Sequence, residues 1–180
     1  AVDPNNQNTI YAGLAHGGIF KTSNGGQNWV PVADAFAFLK IGELTIDPNN
    51  SSVVYAGTGD PNNLSVGSNG IYKSTDGGNS WSNIGLDEHG PISRIIVDSA
   101  NSNILYAAAL GRATYADSNR GVYKSVDGGS TWSQVLFLGN KIGVTDLIID
   151  PFDPNTLYCS GWDRHRAPFD YSFTGNGARC

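Results

Sequence analysis

The chain has 180 residues, of which 39% are hydrophobic and only 15% charged, with a net charge of −5 and a pI near 4.9. That balance excludes a basic footprint for nucleic acid, and no apolar run approaches the roughly 18 residues of a membrane-spanning helix. Twenty-three glycines set among many Asn, Ser, Thr and Asp residues suit short strands joined by turns. The chain has no Met and no visible signal peptide, and is expected to be a processed product or part of a longer polypeptide. Two cysteines, Cys159 and Cys180, are too few for a disulfide scaffold. Cys159 lies in an apolar strand pattern and reads as a small buried residue.

Ala1-Val2-Asp3-Pro4 matches only the tail of a strand pattern that recurs in full later. Thr22-Ser23-Asn24-Gly25-Gly26-Gln27-Asn28-Trp29 is the first copy of the most regular feature of the chain. Ser74-Thr75-Asp76-Gly77-Gly78-Asn79-Ser80-Trp81 is the second and Ser125-Val126-Asp127-Gly128-Gly129-Ser130-Thr131-Trp132 the third. The tryptophans are 52 and then 51 residues apart. A constant period near 50 marks a repeat architecture.

The best-preserved unit begins with alternating apolar and polar residues over 42–47, which predicts a strand. Pro48-Asn49-Asn50 predicts a turn, because Pro presets φ and Asn tolerates positive φ. The β-branched and aromatic run 53–57 predicts a second strand, 70–74 a third and 81–84 a fourth. The next unit repeats this over 93–98, 104–108, 121–125 and 132–136. Segments 145–150 and 156–159 supply the first two strands of another.

Four short strands per period, with no helical pattern, predict an all-β fold: a β-propeller of four-stranded antiparallel blades. The blades are expected at 1–40 (lacking most of its first strand), 41–91, 92–142 and 143–180, thirteen strands divided as three, four, four and two. Propellers usually have about four to eight blades. About 3.5 blades leave open edges that invite pairing. The expected partners are therefore the remaining blades, from the same polypeptide or from another protein chain.

Each position of the repeated turn has a physical task. The Ser or Thr hydroxyl and the Asp carboxylate bond the turn's own backbone. The two glycines permit positive φ, and Trp supplies a large apolar body with one N–H to satisfy. Thr22, Asn24, Gly26 and Trp29, then Ser74, Asp76, Gly78 and Trp81, then Ser125, Asp127, Gly129 and Trp132 are accordingly read as structural. These residues resemble the Asp-box, or BNR repeat, S-x-D-x-G-x-T-W, with Asn24 replacing the Asp in the first copy. That repeat occurs in sialidases, sortilin-type receptors, xyloglucan-active glycoside hydrolases and photosystem II assembly factors. The resemblance implies a turn between the third and fourth strands, away from the active face. Tyr55-Ala56-Gly57-Thr58-Gly59-Asp60-Pro61-Asn62, Ala108-Ala109-Leu110-Gly111 and Arg120-Gly121-Val122-Tyr123-Lys124-Ser125 further resemble large secreted bacterial proteins with sortilin-like propellers, which implies a secreted or cell-surface location.

Blade geometry places the repeated turns on one face and the long, dissimilar loops on the other, and function tends to sit on such loops. Asp60, Arg112, Tyr115, Asp117, Trp162, Asp163, Arg164, His165 and Arg166 are the candidate ligand face, with Phe36, Phe38, Glu88 and His89 on the blade-to-blade loops. Aromatic groups beside Arg and Asp suit a glycan or peptide ligand. His16, His89 and His165 lie in different repeats without metal-ligand spacing and read as solvated loop residues. No metal, cofactor or catalytic residue is assigned. The functional expectation is a non-catalytic extracellular binding or scaffold module of a larger protein. The alternative is part of a xyloglucanase- or sialidase-like glycoside hydrolase whose catalytic residues are shared with other blades. Asp60, Asp117 or Asp163 could then provide a carboxylate, since glycoside hydrolysis needs two flanking the cleft. The sialidase Arg-Ile-Pro signature is absent, Arg94-Ile95-Ile96 lying inside a strand pattern.

Overall fold

The computed structural model describes residues 1–34, 40–61, 67–114 and 116–163. Among them, the first sheet holds β1 (Ile10–Leu14), β2 (Gly18–Thr22) and β3 (Val30–Pro31), and Val2 bridges Ile10 where a preceding strand would run. The second holds β4 (Ile41–Asp47), β5 (Asn50–Thr58), β6 (Ile71–Ser74) and β7 (Ser82–Asn83). The third holds β8 (Ile92–Val97), β9 (Leu105–Ala109), β10 (Gly121–Ser125) and β11 (Ser133–Leu136), and the fourth β12 (Ile142–Ile149) and β13 (Leu157–Asp163). Each sheet is an antiparallel meander with its strands in sequence order. The all-β blade architecture expected from the period is the one observed.

Turn chemistry explains the meander. Asp3, Asp47, Asp98, Asp150 and Asp153 each accept a backbone N–H two residues on, closing the turns between first and second strands. The glycine pair of each repeated turn sits at φ of +69° and +92° in Gly77 and Gly78, and at +70° and +97° in Gly128 and Gly129, where a side chain would be strained.

The core lies between sheets. One buried cluster joins the first and second sheets through Tyr11, Ile19, Ile46 and Val54. A second joins the second and third through Tyr55, Ile71, Ile95 and Leu105, and a third joins the third and fourth through Tyr106, Val122, Val144 and Leu147. Each sheet has two apolar faces, so each blade becomes stable only against its neighbours. Cys159 departs from expectation. It is half-buried, packed at the margin of the third cluster rather than inside it.

Candidate functional site

The repeated turns are closed by their own side chains. Ser74 Oγ donates to Asp76 Oδ1 at 2.8 Å and accepts from Gly78 N–H at 2.8 Å. Asp76 Oδ1 also accepts from Ser80 N–H at 2.8 Å, and its Oδ2 from Ser80 Oγ at 2.6 Å. Ser125, Asp127, Gly129 and Thr131 repeat the arrangement at 2.6–2.9 Å. These bonds, led by the Ser80 and Thr131 hydroxyls, hold both carboxyls down to about 2. In the first copy Thr22 and Asn24 keep the backbone bonds, with Gly26 N–H and Asn28 N–H at 3.0 Å. The carboxylates are committed to the turn. The indoles do more than cover their own hairpins: Trp81 Nε1 donates to Val32 O of the preceding blade, and Trp132 Nε1 to Ile84 O, both at 2.8 Å. Trp29, in the first sheet, is 41% exposed.

On the opposite face, the sheet-three loop is organised by a residue that sequence reasoning did not single out. Arg120 is fully buried, and its guanidinium donates to the carbonyls of Leu110 and Arg112. Desolvation pushes its pKa down, and the carboxylates of Asp117 and Asp163 oppose that shift. Asp117 accepts from the backbone N–H groups of Arg112 at 3.0 Å and Asn119 at 2.9 Å, and its own N–H donates to Asn140 O at 2.9 Å. Gly111 N–H donates to His89 O at 3.0 Å. Three loops are thus knitted around one buried cation. Arg112 and Asp117 lie together in this loop, and the Asp163 carboxylate is near enough to act on the Arg120 charge; Trp162 and Asp163 end β13 beside Gly143 and Ile142. Asp60, nearly buried, belongs to the neighbouring loop, where Gly59 lies against Pro91. Tyr115, Arg164, His165 and Arg166, like Phe36 and Phe38, lie outside the described residues.

His89 is a correction. It is half-buried rather than solvated, its ring standing edge-on to Tyr123 at 4.6 Å and 88°. Burial lowers its pKa, and burial with the nearby Asp117 charge pushes the Tyr123 hydroxyl up to about 12. His16 is exposed, as expected. Among the described residues no group of three His, Cys, Asp or Glu side chains could hold a metal.

A second polar row lines the inner strands. Glu43, Arg94 and Asp146 each stand four residues before the turn Asp of their blade, and each follows a register shift in β4, β8 or β12. Such bulges re-aim a side chain. Arg94 lies 3.4 Å from Glu43 and 3.5 Å from Asp146, so the signs alternate from blade to blade. Burial raises the Glu43 pKa and Arg94 limits the rise. Glu43 and Arg94 of this row border an open cavity of about 730 Å³. Equal spacing before three Asp residues was the sequence signal for it.

No family model matches the chain. Against curated proteins it is 32% identical to the xyloglucanase of Hypocrea jecorina over 167 residues, covering 84% of this chain and 19% of that enzyme. Among solved structures it matches an ancestral GH74 enzyme with a TM-score of 0.73 and 23% identity, covering 94% of this chain and 24% of that one. It also matches the GH74 enzyme of Niastella koreensis with a TM-score of 0.65 and 27% identity, covering 90% and 25%. The chain is a β-propeller protein related to glycoside hydrolases. It spans about a fifth of the length of the xyloglucanase it matches. These similarities point to glycoside hydrolases.

Proposed function

We propose that this chain is an arc of the propeller of a secreted xyloglucan-degrading glycoside hydrolase, and that its long-loop face forms part of the wall of the glucan cleft. The observation that carries this reading is the 32% identity to a xyloglucanase over 84% of the chain. The site geometry refines it. Both oxygens of Asp117 are engaged by backbone N–H groups, which suits a loop anchor better than a general acid or base. Arg112, Trp162 and Asp163 at the rim then serve to bind sugar: indole faces stack on sugar rings, while guanidinium and carboxylate groups bond hydroxyls. The acid and base carboxylates that glycoside hydrolysis needs belong, on this reading, to blades beyond the described residues. This combines the scaffold role expected from the sequence with the enzymatic alternative.

The test is hydrolysis of xyloglucan by the full polypeptide carrying this arc, with Trp162→Ala and Asp163→Ala variants. A rise in KM of about tenfold at nearly unchanged kcat is expected, because uniform binding is lost. Failure of the parent polypeptide to bind or cleave xyloglucan would refute the proposal. Loss of kcat alone in Asp163→Ala would instead make that residue catalytic.

A further inference from the structure

The loop that follows β9 is set by a stack of three residues. Gly90, Gly111 and the stem of Arg120 lie one on another, so closely that a Cβ on Gly90 would strike the Gly111 backbone and one on Gly111 would strike the Arg120 stem. Gly111 also sits at φ +67°, where a side chain would be strained. The stem carries the buried guanidinium to the carbonyls of Leu110 and Arg112, on either side of Gly111. Arg120 is itself held from behind, since Gln134 Nε2 donates to its carbonyl at 2.8 Å and to Ser118 O at 3.0 Å.

The blade does not require this arrangement. Arg120 stands directly before Gly121 at the head of β10, whereas the corresponding residues before Gly18 and Gly70 are Gly17 and Asn69. The first and second sheets form the same meander without an arginine there. What the guanidinium adds is therefore local to the loop, and it converges on Arg112. The Arg112 carbonyl accepts from Arg120, and its N–H donates to Asp117 Oδ2 at 3.0 Å. Asp117 is anchored in turn by Asn119 N–H at 2.9 Å and through its own N–H to Asn140 O. With the planar peptide groups on both sides pinned, the Cα–Cβ direction of Arg112 is fixed although the residue lies in a loop.

We propose that Arg120 is a positioning residue of the glucan-binding face: by holding the Arg112 carbonyl it fixes the direction from which the Arg112 guanidinium meets a sugar hydroxyl. The inference rests on the reading of this face as a cleft wall. A side chain already held in its bound direction loses less freedom on binding, which raises affinity without any new contact. Arg120 touches no sugar in this role. Its effect passes through Arg112 and falls on KM rather than on kcat.

The test measures initial rates of xyloglucan hydrolysis by the full polypeptide carrying this arc. Arg120→Leu and Arg112→Ala should each raise KM about tenfold and leave kcat within twofold. In an Arg112→Ala background, adding Arg120→Leu should change KM by less than about twofold, because nothing is left to position. Arg120→Lys keeps a buried cation and should recover part of the loss; it runs the same cycle, with a smaller effect, should the leucine variant not fold. Trp81→Ala, on the turn face, also costs stability but should leave KM within about twofold below the melting temperature of every variant. An unchanged KM in the Arg120 variants would overturn the proposal. So would an undiminished Arg120 effect in the Arg112→Ala background, or an equal rise of KM in Trp81→Ala, either of which would reduce Arg120 to a structural residue. A parent polypeptide that neither binds nor cleaves xyloglucan would instead overturn the reading of the face, and this role with it.

Discussion

Trp81→Ala separates a junction pin from a decorative turn residue. An indole that buries on the order of 150–200 Å² at about 25 cal/mol per Å² accounts for about 4–5 kcal/mol of transfer free energy. Residual compactness of the unfolded chain reduces that to about 3 kcal/mol. Loss of the bond from Nε1 to Val32 O adds about 1 kcal/mol, for a total near 4. In a chain of this size that lowers Tm by about 10 °C. Trp29 holds the same place in its own turn but is 41% exposed, so Trp29→Ala should cost less, about 2–3 kcal/mol. Urea melts followed by far-UV circular dichroism measure both. If Trp29→Ala costs as much as Trp81→Ala, or if Trp81→Ala costs under about 1 kcal/mol, then the indole acts within its hairpin and the junction argument fails.

The remaining predictions concern charge. Asp76 has a folded pKa of about 2 against an ordinary 3.8, so its contribution is present above pH 4 and is lost as pH falls towards 2. Asp76→Asn, which copies Asn24, should keep the turn yet flatten the acid limb of a stability profile; an unchanged limb would contradict that origin. Arg120→Leu leaves the Leu110 and Arg112 carbonyls buried without their donor and should cost about 3 kcal/mol in urea melts, with Arg120→Lys recovering only part. Glu43 has its pKa raised from an ordinary 4.5, so its contribution is greatest at low pH and declines as pH rises through the folded value. Arg94→Leu removes the opposing charge and should extend that decline to higher pH, read as the shift of the urea midpoint.

Much of the fold was legible because a blade is a local object. Strand alternation, Asp-Pro-Asn turns and the glycine pair are decided within about ten residues by backbone sterics and hydrogen bonds, and three copies made the pattern plain. The candidate face was legible only as a set of loops. Its organiser, Arg120, carried no signal in the sequence, since burying a guanidinium becomes tolerable only where two carbonyls and the Asp117 and Asp163 charges surround it. His89 was misjudged for the same reason: its solvation is decided by Tyr123, 34 residues away in sequence. Cys159 was judged by the apolar pattern of its own strand, whereas its exposure is set by its place at the margin of the third cluster.

By itself, then, the sequence determined the repeating unit, its four-strand order and the chemistry inside each turn, because those interactions join residues close along the chain. Only the tertiary structure decided what the units do to one another. The Tyr–Lys grip on the next glycine turn, the indole bond to the preceding blade and the alternating row of Glu43, Arg94 and Asp146 all span about 50 residues. They exist because neither face of a blade can be left to water, so the same positions must meet again one repeat later.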